Sequence, residues 1–159
     1  MSRRITLERN TLRFAAAHFT TFGGECEPLH GHNYDVFVEI EGDLTADSWV
    51  FDFGEAKRLV AGICRELDHR FLLALESPEL SIVEAEGEYE IVFGDRRYVV
   101  PSSDVAALPL DNTTAERLAE WFCGRITAEL AAQGAANVQR VSVGIEEMPG
   151  QAGWFSREF

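Results

Sequence analysis

Residues 34–40 limit the possible fold more than any other stretch: Tyr34, Val36, Val38 and Ile40 alternate with Asp35, Phe37 and Glu39. Successive side chains of a strand point to opposite faces, so the pattern describes a strand with one apolar side and one mostly polar side. The apolar side has to be covered, and two segments can cover it. From Asp52 or Gly54, Ala56, Leu59, Val60, Ile63, Cys64 and Leu67 recur at helical spacing for about 14 residues. Further on, Ala115, Leu118, Ala119, Phe122, Ile126 and Leu130 share one face of a second helix. Thr113 and Glu116 form a capping-box pattern at its start, and Gly134 can end it.

The remaining periodicity completes the outline. Residues 4–17 and 32–41 read as strands, and a last strand alternates Val141, Val143, Ile145 and Glu147. Between the helices, turn signals around Gly87 and at Gly94-Asp95 predict short hairpins within an insert at about 76–105. The order strand, strand, helix, hairpin insert, helix, strand predicts one α+β domain over 1–159, with two helices on one face of an antiparallel sheet.

A 159-residue chain with 46% hydrophobic residues can build such a core without disulfides. Its three cysteines (26, 64 and 123) include no C-x-x-C pair, which speaks against a disulfide framework or a thiolate zinc knuckle. The net charge of −13, with Lys57 the only lysine, argues against nucleic-acid binding. No stretch has signal-peptide or membrane-span character, so a cytoplasmic protein with no membrane partner is expected.

Cys26, Glu27, His30 and His32 crowd into seven residues. In an extended chain His30 and His32 project to the same side, as a chelating pair requires. His18 joins them if the first two strands form a hairpin through residues 19–31. Three neutral imidazoles leave one zinc position open, the arrangement of a catalytic site, and Zn2+ suits a site with no redox partner in view. The plainer alternatives are a chance His-x-His, a buried apolar Cys26, a solvated Glu27, and Asp68-His69 as a mere helix end.

The motifs "FAAAHF", "CEPLHGHNY", "VFDFGEAKRLV", "ELDHRFL", "NTTAERLAEW" and "VGIEEMPGQAGWF" resemble the 6-pyruvoyl-tetrahydropterin and 6-carboxytetrahydropterin synthase family. The resemblance implies a T-fold whose subunits close a barrel as trimers and stack into a hexamer. It implies zinc on His18, His30 and His32, with Cys26, Asp68 and His69 as catalytic residues. Glu147, with Thr113, Thr114 and Glu116, would bind the pterin. The implied reaction is a carbon–oxygen lyase conversion of 7,8-dihydroneopterin triphosphate to 6-carboxy-5,6,7,8-tetrahydropterin, for queuosine-type biosynthesis, or to 6-pyruvoyl-tetrahydropterin. The loop also satisfies E-x-x-H-G-H through Glu27, a pattern that the resemblance ties to side-chain cleavage giving 6-hydroxymethyl-7,8-dihydropterin for folate synthesis. A non-catalytic pterin-binding scaffold is the third alternative.

Overall fold

The computed structural model describes residues 2–8 and 12–159. The chain begins with β1 (Arg3–Leu7), β2 (Arg13–His18), the two-residue strands β3 (Thr21–Phe22) and β4 (Glu25–Cys26), and the long β5 (His30–Gly42). Helix α1 (Phe53–Leu67) and β6 (Arg70–Ala74) precede a hairpin region of β7 (Ser81–Ala85), β8 (Glu88–Phe93) and β9 (Arg96–Pro101). Then come β10 (Val105–Leu108), α2 (Ala115–Ala132), β11 (Val138–Met148) and β12 (Gln151–Glu158).

The main sheet runs β10-β6-β2-β5-β11-β12, with β1 also on β5. The alternation of β5 decides its register. Tyr34, Val36, Val38 and Ile40 are buried, and β11 sets Val141, Val143 and Ile145 opposite Ile40, Val38 and Val36. Cross-strand neighbours on one face pack side by side, so these residues form one apolar surface. Both helices cover it. Ala56, Val60, Ile63 and Leu67 of α1 and Leu118, Phe122, Ile126 and Leu130 of α2 share a core with it. Asp52 caps α1 by accepting from the Glu55 backbone N–H at 2.8 Å.

Several expectations need correction. The strand expected over 4–17 is two strands, β1 and β2, both on the same edge of β5; positions 9–11 of that stretch lie outside the described residues. The sheet is antiparallel except around β6, which is parallel to both β2 and β10. Strands β6 and β10 lack the alternation that marks a one-sided strand. "RFLLA" is almost continuously apolar and buried, which is how parallel strands read. Strand β12 was hidden behind Gly150, whose φ of 85° makes the turn from β11. The cap of α2 is Thr114, which accepts from the Arg117 N–H, and not Thr113, whose hydroxyl donates to the Phe19 carbonyl.

A second, smaller core lies at one end of the main sheet. Phe19, Cys26, Phe71 and Leu73 pack there with Tyr89, Ile91 and Val105, so the three-stranded sheet β7-β8-β9 backs the loop before β5.

Candidate active site

The antiparallel pairing of β2 and β5 puts His18 directly opposite His30 and Ala16 opposite His32. The three imidazoles converge: one ligand atom from each lies within 4.8 Å of the others, and the ring centroids are 4.7–5.2 Å apart. This is the hairpin the spacing predicted, with β3 and β4 folded inside its loop.

The donor set suits a metal ion. His18 is 1% exposed, and its Nδ1 lies 3.1 Å from the Thr113 carbonyl oxygen, an acceptor, so Nδ1 carries the hydrogen. The lone pair is therefore on Nε2, which is buried and has no hydrogen-bond partner. An orphaned buried acceptor is costly unless something binds it. His30 is fixed the same way: Nδ1 donates to the Pro28 carbonyl at 2.8 Å and Nε2 is free to ligate. Burial, reinforced by His30 and His32, lowers the His18 pKa to about 4. Burial followed by His30 lowers that of His32 as well. The neutral, ligating form of both is thus favoured.

Beside the histidines is a cavity of about 380 Å³ lined by His18, His30, Glu27, Glu147, Thr114 and Glu116. Glu147 reaches it because β11 extends its core-facing row one step past Ile145, to where the helical cover ends at the start of α2. Its Oε1 is 3.9 Å from His18 Nε2. Burial, with Glu27 nearby, raises the Glu147 pKa. Burial also pushes the Glu27 carboxyl upward, but hydrogen bonding to Thr20 and the nearby His30 and His18 outweigh it, and the net shift is downward. Glu27 Oε2 accepts from the Thr20 N–H at 2.9 Å.

Adjacent residues on the loop face opposite ways. Whereas Glu27 lines the histidine cavity, Cys26 is 8% exposed and packed in the smaller core. Burial raises the Cys26 thiol pKa, and the Arg96 guanidinium offsets this only in part. Asp68 and His69 follow α1, and His69 opens onto a separate cavity of about 540 Å³ that it shares with His32 and Arg70. Asp68 accepts from the Ala15 N–H at 2.8 Å and lies 2.9 Å from His69 Nδ1. The backbone bond from Ala15 is the main cause holding Asp68 below the ordinary carboxylate range. His69 adopts a left-handed φ of 57°, which leaves its ring outward and largely exposed. The cluster therefore touches two cavities: His18 and His30 line the one with Glu27 and Glu147, and His32 lines the one with His69. Thr113 does not line the first cavity; its backbone carbonyl and hydroxyl lie behind His18.

Some supporting residues had no mark in the motif spacing. Asn112 grips the backbone of Thr21, accepting from its N–H at 3.3 Å and donating to its carbonyl at 2.8 Å. Asn112 sits in the "NTTAE" segment, so its neighbours could have drawn attention to it. Arg96, which donates to the Cys26 and Glu27 carbonyls, gave no such signal.

A curled, mainly antiparallel sheet with two helices on one face and a histidine cluster able to hold a metal defines a T-fold protein of the pterin-processing kind. The chain belongs to the 6-pyruvoyl tetrahydropterin synthase family, whose model matches residues 6–158. A Methanocaldococcus jannaschii protein provisionally named 6-carboxy-5,6,7,8-tetrahydropterin synthase is 33% identical over 147 residues, 92% of this chain and 90% of its own length. A dihydroneopterin monophosphate aldolase of Pyrococcus furiosus is 42% identical over 59 residues, 37% of this chain and 50% of its own length. The crystal structure of the Plasmodium vivax 6-pyruvoyl tetrahydropterin synthase superposes with a TM-score of 0.94 at 29% identity, covering 100% of this chain and 99% of that one. The same P. vivax protein has been solved with a glutamate described as catalytic replaced by alanine.

Proposed function

We propose that this protein is a zinc-dependent lyase acting on the side chain of 7,8-dihydroneopterin triphosphate, with Glu27 as the base. One observation carries the reading: the Glu27 carboxylate shares a cavity with His18 and His30, while the neighbouring thiol of Cys26 is turned into an apolar core. His18, His30 and His32 would hold the ion. When bound, Zn2+ would make a coordinated substrate hydroxyl more acidic and stabilise negative charge developing next to it.

The protein's own groups do the rest. Glu147 can accept two N–H bonds from the amino-pyrimidine edge of the pterin and so orient its side chain toward Glu27. Thr114 and Glu116 close the cavity beside that edge. Glu27 is held by the Thr20 N–H and kept ionised, ready to accept a proton. His69, oriented by Asp68, is available to return a proton from the second cavity, which it shares with His32.

The position of Glu27 favours cleavage of the side chain. The base takes the proton of the second side-chain hydroxyl, and the bond between the first and second side-chain carbons breaks. Its electron pair moves into the C6–N5 imine, and a proton is then returned to the first carbon. The products are 6-hydroxymethyl-7,8-dihydropterin and a phosphorylated glycolaldehyde. The name of the P. furiosus relative supports this route. The second reading, loss of triphosphate to give 6-carboxytetrahydropterin or the 6-pyruvoyl product, is favoured by the M. jannaschii relative, which matches most of the chain. The catalytic glutamate of the P. vivax synthase supports Glu27 as base under either reading.

The deciding experiment incubates zinc-loaded protein with 7,8-dihydroneopterin triphosphate and identifies the pterin product by mass spectrometry. Glu27→Gln is expected to lose roughly 100-fold or more in turnover, the usual scale for a general base, at unchanged zinc content. Cys26→Ala is expected to keep most of it. Full activity in Glu27→Gln would overturn the assignment. The open edges β10 and β12 and the exposed Trp154 and Met148 support assembly through the sheet, in the hexamer of two trimers that the family resemblance implies.

A further inference from the structure

The 26–27 peptide is held from a distant part of the chain. Arg96 follows the turn of the β8-β9 hairpin, where Gly94 has a φ of 57°. One nitrogen, Nη1, donates to the Cys26 carbonyl at 2.9 Å and the Glu27 carbonyl at 3.0 Å. The other end of the β3-β4 hairpin is held by Asn112 through both backbone groups of Thr21, and Thr20 binds both the backbone N–H and the carboxylate of Glu27. The loop is therefore bracketed, and Arg96 is the clamp on the side where the two candidate bases sit.

We propose that Arg96 is a positioning residue that determines which of the two adjacent side chains faces the histidine cavity. Neighbouring side chains of an extended chain point opposite ways, so fixing the plane of the 26–27 peptide fixes Glu27 inward and Cys26 outward at the same time. Exchanging them means turning both residues over, and with them the Cys26 and Glu27 carbonyls, so both bonds to Arg96 have to break. Nη1 can serve both carbonyls because it carries two hydrogens, which the planar guanidinium holds in fixed directions; a lysine offers a point charge on a flexible stem. The hairpin insert thus contributes to the chemistry through one residue, without touching substrate. The proposal rests on Glu27 being the base that meets substrate.

Two readouts test it in zinc-loaded full-length protein, for wild type, Arg96→Gln, Arg96→Lys and, as a control, Arg97→Gln. Arg97 pairs with Glu90 on the exposed side of the β8-β9 hairpin. The first readout is alkylation of Cys26 by iodoacetamide, followed by peptide mapping so that Cys64 and Cys123 do not interfere. Labelling of Cys26 is expected to be at least tenfold faster in Arg96→Gln, intermediate in Arg96→Lys and unchanged in Arg97→Gln. The second is the product ratio and the split between kcat and KM. Arg96→Gln should lower kcat with little change in KM, and shift the product ratio in a way that adding Cys26→Ala reverses. If Cys26 labelling and product ratio in a folded Arg96→Gln match wild type, the proposal is wrong. Should Arg96→Gln fail to fold, wild-type behaviour in Arg96→Lys overturns it equally. If wild type turns over no pterin, the functional reading fails, while the labelling rates still report whether Arg96 holds the loop.

Discussion

His18 shows how much a single side chain depends on its setting. The spacing of the histidines suggested a chelate, but which nitrogen could bind was settled by the Thr113 carbonyl, which occupies Nδ1 and leaves Nε2 bare in a buried place. A pH dependence follows for the metal-free protein. The unfolded chain has an ordinary imidazole pKa of 6.5 and the folded protein holds His18 at about 4, so between these values the unfolded state takes up the proton first. The stability contributed by the neutral buried ring is intact above pH 6.5 and lost as the pH falls toward 4. Thermal unfolding of metal-free protein across that window should show a falling Tm, with a shallower slope in His18→Gln; a flat wild-type profile would contradict it. Glu27 and Cys26 were both legible as candidate bases, because the loop satisfies two spacing patterns at once. Their opposite facing is set by contacts from Thr20 and Arg96, which no local pattern encodes.

Between elements, one tight constraint next to the site is the approach of β12 to α2. A Cβ on Gly153 would lie 2.6 Å from the Glu116 backbone nitrogen and 2.8 Å from the Ala115 carbonyl carbon, which cannot move without shifting the helix start. Gly144 is also tight, but its nearest neighbour is the ring of Trp154, a side chain about half exposed and able to swing away. Gly153→Ala is therefore expected to destabilise by about 1–3 kcal/mol, the usual cost of overpacking, and to weaken pterin binding, since Gly153 lines the cavity. Gly144→Ala should cost less. Chemical denaturation of both variants checks the ranking, and equal losses would mean that β12 yields as readily as an indole. The helices were legible from their periodicity to within a residue or two, and β5 and β11 from their alternation. Strands β6 and β10 were not, because a strand buried among parallel neighbours has no polar face to alternate with. The cap of α2 was displaced by one residue because Thr113 spends its hydroxyl on Phe19, leaving the cap to Thr114.

At the scale of the molecule, the sheet ends in the unpaired edges of β10 and β12, and Trp154 is about half exposed on the latter. His69 is 82% exposed at its side chain, beside the second cavity. An assembly that paired those edges would cover the exposed groups, so light scattering on this 17.8 kDa chain should give a mass near six subunits. A stable monomer with full activity would contradict the assembled site. None of the described helices is long and apolar enough to cross a membrane. The sequence by itself determined the one-sided strands, the two covering helices and the histidine pair, because each is written in a local period of two or 3.6 residues. It also held the motifs that marked the family. Only the tertiary structure decided that His18 completes the cluster, that Glu27 and not Cys26 faces it, and that an arginine in the hairpin insert holds the loop. Those outcomes depend on contacts between residues as far as 95 positions apart, as from His18 to Thr113, and nothing in a local pattern specifies them.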